Sequence, residues 1–197
     1  MSKRPYELGK RLEQMEESRT AILRAARVQL EANGYRQWTM ASLAVESGVT
    51  RQTIHNLFGT KAAVLEALFD AIAMDGGMEK MREVMTQPTG TAMLESFVHL
   101  FCGFWSKNRV LIRRVHGIAA IDPEFSAVIE ARNRRRLMAA TRIAQKMGTG
   151  QEAKQRGAVL AALTSFEFFD AMADNSGDEH QVEAIVLKLA RNSLSPS

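Results

Sequence analysis

A chain of 197 residues with 46% hydrophobic content can bury a substantial core, and its 24% charged residues interrupt each apolar stretch before it reaches membrane-spanning length. One cysteine, Cys102, and four scattered histidines, His55, His99, His116 and His180, leave no disulfide framework and no structural zinc site, so no metal or other cofactor is expected. The first twenty residues hold no apolar block of the signal-peptide kind, and the expectation is a globular, cytoplasmic protein without a membrane segment.

The net charge of +4 is unevenly placed: residues 1–61 carry ten Lys or Arg against six Asp or Glu, whereas residues 62–197 carry sixteen of each. A basic first third joined to a neutral remainder is what a phosphate-binding head on an uncharged body would look like, although chance also suffices for an excess of this size.

Long runs rich in Ala, Leu, Met, Glu and Arg, without sustained period-two alternation, predict an all-α fold with room for two modest cores. The first helix is placed from Ser18, as N-cap, to Asn33, with Ile22, Ala25, Ala26 and Leu30 as its apolar stripe and Gly34 as its terminator. Thr39 caps a short second helix, Met40 to Glu46, that turns Leu43 and Ala44 inward. Ser47 and Gly48 make a tight turn, Val49 fills the space between helices, and Thr50 caps a third helix, Arg51 to Leu57. After Gly59, Thr60 caps a fourth helix carrying Val64, Leu65, Leu68, Phe69 and Ile72 at helical spacing. Later breaks are expected near Gly76-Gly77, Pro88 to Gly90, Lys107-Asn108, Asp122-Pro123, Gly148 to Gly150 and Ser176-Gly177. The final two helices are then Gln151 to Asp174 and Asp178 to Asn192, antiparallel neighbours across a short loop.

Residues 39–58 supply the parts of a helix-turn-helix: a brace helix, an angle-setting turn, and a second helix able to enter a major groove. With Ile54, Leu57 and Phe58 inward, the third helix presents Arg51, Gln52, Thr53, His55 and Asn56 outward. Arg matches guanine, Gln or Asn matches adenine, and Thr suits a phosphate or a thymine methyl. A solvated polar face is the alternative, but a helix of two turns is not stable unless packed into such a head.

The run from Thr39 to Lys61, TMASLAVESGVTRQTIHNLFGTK, resembles the signature of TetR-family regulators, and with the flanking helices the resemblance covers residues 18–72. It implies an N-terminal three-helix DNA-binding domain, residues 1–60, followed by a larger helical domain, 61–197, for effector binding and dimerisation. By the same resemblance Thr39, Thr50, Arg51, Gln52, Thr53, His55, Asn56 and Lys61 occupy the positions that meet DNA, with Thr39, His55 and Lys61 as phosphate anchors. The family more often has tyrosine where this chain has His55, and a phosphate-facing histidine would make affinity pH-dependent. Upstream, Lys3, Arg4, Lys10 and Arg11 stand among Glu7, Glu13, Glu16 and Glu17, and a frayed, solvated terminus is the favoured reading over a DNA arm.

The resemblance further implies a ligand pocket between the middle helices and a homodimer through the last two. Phe97, Phe101, Phe104, Trp105 and His116 are the candidate pocket residues, with Met93 and Met138 nearby; for any one aromatic among them plain core is the commoner role, and if the cluster lines a cavity the expected effector is small and mainly apolar. His99 and Cys102, three apart on one helix, could supply two metal ligands but are read as core residues, and Arg132, Arg134, Arg135 and Arg136 are read as a solvated helix face. Val159, Ala162, Leu163, Phe166, Phe169, Val182, Ile185, Val186 and Leu189 are read as a shared face for a two-fold dimer binding a palindromic operator. No phosphate loop, nucleophile motif or catalytic His/Cys/carboxylate set stands in the sequence, so an enzyme is not expected. A ligand-released repressor is the preferred reading. A ligand-independent DNA organiser or an activator using the same head remain the alternatives.

Overall fold

The computed structural model describes residues 4–33, 38–148, 150–176 and 178–195, all helix or short connection, with no strand among them. The chain order is α1 (Arg4–Asn33), α2 (Met40–Ser47), α3 (Arg51–Phe58), α4 (Lys61–Asp75), a 3₁₀ turn (Met78–Lys80), α5 (Met81–Met85), α6 (Gly90–Ala119), α7 (Pro123–Lys146), a second 3₁₀ turn (Gly150–Glu152), α8 (Ala153–Leu163), α9 (Phe166–Ser176) and α10 (Glu179–Leu194).

The short helices of the head form where their caps predict. Thr39 accepts from the Ser42 N–H at 3.0 Å while the Ser42 hydroxyl accepts from the Thr39 N–H at 2.9 Å, a reciprocal box that satisfies two otherwise orphaned donors. Thr50 and Thr60 each accept from the N–H three residues on, both at 3.1 Å. Between α2 and α3, Gly48 adopts φ 70°, the left-handed conformation that a side chain would strain. Buried Gln29 of α1 donates to the Ser42 carbonyl and accepts from the Ser42 hydroxyl, both at 2.9 Å, which fixes α2 against α1.

Three boundaries differ from the expectation. Helix α1 begins at Arg4, not at Ser18, whose hydroxyl instead donates back to the Gln14 carbonyl inside the helix at 2.8 Å. Residues 9–17 are exposed but rich in Glu, Gln, Arg, Leu and Met, strong helix formers that extend the packed portion outward. Gly34 and Lys3 lie outside the described residues. The break expected at Lys107-Asn108 does not occur: buried Asn108 donates within the helix to the Phe104 carbonyl, and Lys107 donates to the Asp75 carbonyl at the end of α4. The helix expected from Gln151 to Asp174 is split at Thr164-Ser165 into α8 and α9. There the indole N–H of Trp105 donates to the Thr164 carbonyl at 3.0 Å, and the Ser165 hydroxyl accepts from the Phe168 N–H at 3.1 Å as a new cap.

The buried side chains form one continuous cluster, from Ile22 of α1 through Val64 and Leu65 of α4 to Leu194 of α10, not two separate cores. Trp38 and Phe125 meet edge to face across it, joining the head to the start of α7 with centroids 5.9 Å apart. Helix α6 is the spine, packed by α7, α9, α10, α5 and α1. Helices α7 and α8 approach so closely that a Cβ on Gly157 would stand 2.5 Å from the Thr141 Cα, so only glycine fits there.

Of the apolar residues expected on a shared face, Phe166, Phe169, Val182 and Val186 are buried inside the chain's own core, because α9 and α10 both pack on α6. Val159, Ala162 and Leu189 remain exposed, and Leu163 and Ile185 are half-buried. No described helix is long and apolar enough to cross a membrane.

Candidate nucleic-acid interface and ligand cavity

Helix α3 is anchored by one fully buried residue, Ile54, with Leu57 and Phe58 half-buried against the core and the Arg19 guanidinium of α1 lying 5.1 Å from the Phe58 ring centroid. The anchoring turns Arg51, Gln52, His55 and Asn56 to the exterior, and Thr53 is half-exposed. Gln52 donates to the Asn56 side-chain oxygen at 2.8 Å, one helical turn apart, so two groups suited to adenine edges are held together before any base arrives. Thr50 and Thr53 hydroxyls lie 2.8 Å apart at the helix N-terminus, where backbone N–H groups also favour a phosphate.

His55 sits at the other end of α3, its Nδ1 2.8 Å from the Gly59 carbonyl. A carbonyl oxygen only accepts, so Nδ1 carries the proton, and Nε2 becomes a donor only in the doubly protonated ring. Thr39 is exposed at the start of α2. Lys61 is placed differently from the other expected contacts. It is half-buried, its ammonium lies 5.2 Å from the Trp38 ring centroid, and burial lowers its pKa against the opposing pull of Asp122. The structure thus gathers seven of the eight residues on or beside the α2–α3 unit and turns the eighth toward the head–body junction.

A sequence profile described as "Bacterial regulatory proteins, tetR family" matches residues 22–68, which span this unit and its supports. Residues 22–68 thus carry the DNA-binding segment of that family. The whole fold of the chain is similar to solved members and relatives: a TetR transcription regulator from Haloarcula marismortui (17% identity, 92% of this chain and 96% of that one, TM-score 0.69). Similar too are NalD, the secondary repressor of the MexAB-OprM multidrug efflux pump in Pseudomonas aeruginosa (15% identity, 91% and 96%, TM-score 0.68), and SmeT solved with triclosan (19% identity, 89% and 90%, TM-score 0.70). At such identities the likeness speaks for the fold. No curated protein matches the chain. A DNA-binding transcriptional regulator is the function that the matched profile supports.

The body of the regulator holds a cavity of about 270 Å³ between α4, α5, α6 and α7. Phe101, Phe104, Trp105 and His116 line it, as the sequence suggests, whereas Phe97 does not; it is fully buried behind them, 4.8 Å from Phe101 centroid to centroid. Met93 is core and Met138 is exposed. Sequence reasoning missed the fourth wall, which α7 supplies.

Arg132, Arg135 and Arg136 line the cavity, so the reading of this run as a wholly solvated face is corrected. Residues 132 and 136 are one turn apart and face inward together, Arg132 4.5 Å from the Phe69 ring centroid and Arg136 5.8 Å from that of Phe101. Arg134 behaves as foreseen, exposed and paired with Glu130, and Arg135 is exposed at the cavity rim. The inward turn was encoded by four-residue spacing, but the sequence did not say which face the core would claim.

Behind the cavity, His116 Nδ1 lies 3.0 Å from Glu167, and that hydrogen bond holds the Glu167 carboxyl well below the usual carboxylate range, at about 2. Cys102 is buried, and burial pushes its thiol up to about 12, so it is an inert core residue. His99, expected in the core beside Cys102, is instead exposed and bonded to Glu183, on the side of α6 turned away from the packed face.

Proposed function

We propose that this chain is a ligand-responsive repressor that binds a palindromic operator as a homodimer and releases it when a small molecule enters the cavity of its body. In this reading residues 1–60 are the DNA-binding unit, and residues 61–197 bind effector and dimerise. Arg51, Gln52, Thr53 and Asn56 read bases, while Thr39, Thr50 and His55 meet phosphates. Lys61 reaches the backbone only by leaving Trp38.

The observation that carries the reading is that one helix serves both ends: α4 is separated from the recognition helix by only Gly59 and Thr60 and places Phe69, Asp70 and Ala73 on the cavity wall. A ligand that favours one position of α4 therefore biases the spacing of two heads, and spacing decides whether both recognition helices sit in successive major grooves. Exposed Val159, Ala162 and Leu189 and half-buried Leu163 and Ile185 offer the apolar face for the partner subunit. Among the similar proteins, a transcriptional regulator from Saccharomonospora viridis was solved with choline and SmeT with triclosan, which supports a small-molecule effector here.

The test is binding to the chain's own upstream DNA across a salt series, with Arg51→Ala beside the wild type. Sequence-selective binding that Arg51→Ala weakens by about 1–3 kcal/mol is the expected result. Equal binding to every fragment, erased by salt, would make the protein a non-specific organiser, and no binding at low salt would overturn the DNA-binding reading.

A further inference from the structure

We propose that the effector of the body cavity is an anion, a small carboxylate with a flat apolar body whose charged end meets Arg136; this rests on the cavity being the effector site. The cavity's rings supply walls for one aromatic or similarly flat group, and a volume of about 270 Å³, just below the usual range of ligand sites, limits the occupant to a small molecule. The charges on the wall decide the rest.

Among the described residues Asp70 is the one carboxylate on that wall, and it is already engaged, 2.5 Å from Arg132. Glu167, behind the wall, is engaged by His116 at 3.0 Å. Arg136 donates through Nε to the Ala161 carbonyl at 3.2 Å and forms no ion pair among the described residues. Its surroundings are dry enough that burial lowers its pKa, partly offset by the charge of Glu167. A guanidinium held against Phe101 in such a place offers a planar fork to a carboxylate, and a bidentate pair would offset the cost of its desolvation. Arg135, on the rim, adds a second positive field for an entering anion.

A cationic ligand is disfavoured by the same geometry. Aromatic faces would be its natural seat, but guanidinium groups already stand over Phe69 and Phe101. It would also lie beside three arginines with their one wall carboxylate engaged.

Calorimetric titration of the full chain with cinnamate, cinnamamide and cinnamylamine tests the inference, because the three share a body and differ in charge. Cinnamate should bind at least about tenfold more tightly than the amide, and the amine most weakly. In Arg136→Gln the acid-to-amide ratio should fall toward one while amide affinity stays nearly unchanged; Arg136→Lys should retain part of the ratio. Should Arg136→Gln not fold, the wild-type ranking and the Arg136→Lys ratio decide. An amide bound as tightly as the acid, a preference for the amine, or no binding of any of the three overturns the anionic effector. Operator binding by the same wild-type preparation reports separately on the regulator reading, so the two failures are distinct.

Discussion

Arg132 of α7 reaches Asp70 of α4 across the cavity at 2.5 Å, with its guanidinium stacked over Phe69 from the same turn of α4. The pair ties the helix that follows the recognition helix to the helix that supplies the charged cavity wall. Arg132 is largely sequestered, its side chain 16% exposed, while that of Asp70 is 65% exposed. Asp70→Asn should therefore cost about 1 kcal/mol of stability, since it leaves a half-buried guanidinium short of its partner. It should also alter operator affinity by more than that loss of folding explains. Denaturant unfolding and an operator titration on the same protein check both; unchanged affinity in a folded variant would remove the pair from the route between cavity and head.

His55 ties the end of α3 to the turn that follows it, its Nδ1 proton held by the Gly59 carbonyl at 2.8 Å. His55→Ala removes that bond from the outward end of α3 and should weaken operator binding by about 1 kcal/mol. Unchanged operator affinity in the folded variant would remove His55 from the interface.

On acidification, stability should fall through loss of the carboxylates that fasten α6 to α9. Burial alone would raise Asp170, but the hydrogen bonds from Arg113 and Arg109 outweigh it and hold its pKa low; Asp174 is lowered chiefly by Arg113. Glu167 is held at about 2 by His116. Folding lowers all three, so their stabilisation is full above the ordinary values of 4.5 for Glu167 and 3.8 for the aspartates, and it disappears as pH falls through the folded-state values. Glu167→Gln should lose less stability than wild type between pH 4.5 and 2, measured as denaturant midpoints.

Gly157→Ala should destabilise the body by about 1–3 kcal/mol, because the added methyl meets the α7 backbone instead of a yielding side chain. Gly103→Ala, with open space at its Cβ position, is the control and should be neutral or slightly stabilising. Thermal unfolding of both variants distinguishes the close helix contact from a general effect of removing glycine.

The head was legible in the sequence because its signals are local. Thr39, Thr50 and Thr60 each bond three residues ahead, Gly48 makes its own turn, and Ile54 with Leu57 and Phe58 defines the inner face of α3 without reference to the rest of the chain. The aromatic side of the cavity was legible too, since Phe101, Phe104 and Trp105 share one helix.

What only the tertiary structure decided depends on partners far along the chain. The break at Thr164 is held by an indole 59 residues away, and α6 continues through Asn108 because that side chain is buried and bonded within its own helix. Phe97 was drawn from cavity to core, and Arg132 and Arg136 were turned inward by the rings of two other helices. A cap competes only with its immediate neighbours and is settled by a few bonds, whereas which face of a long helix is buried depends on what the rest of the chain packs against it.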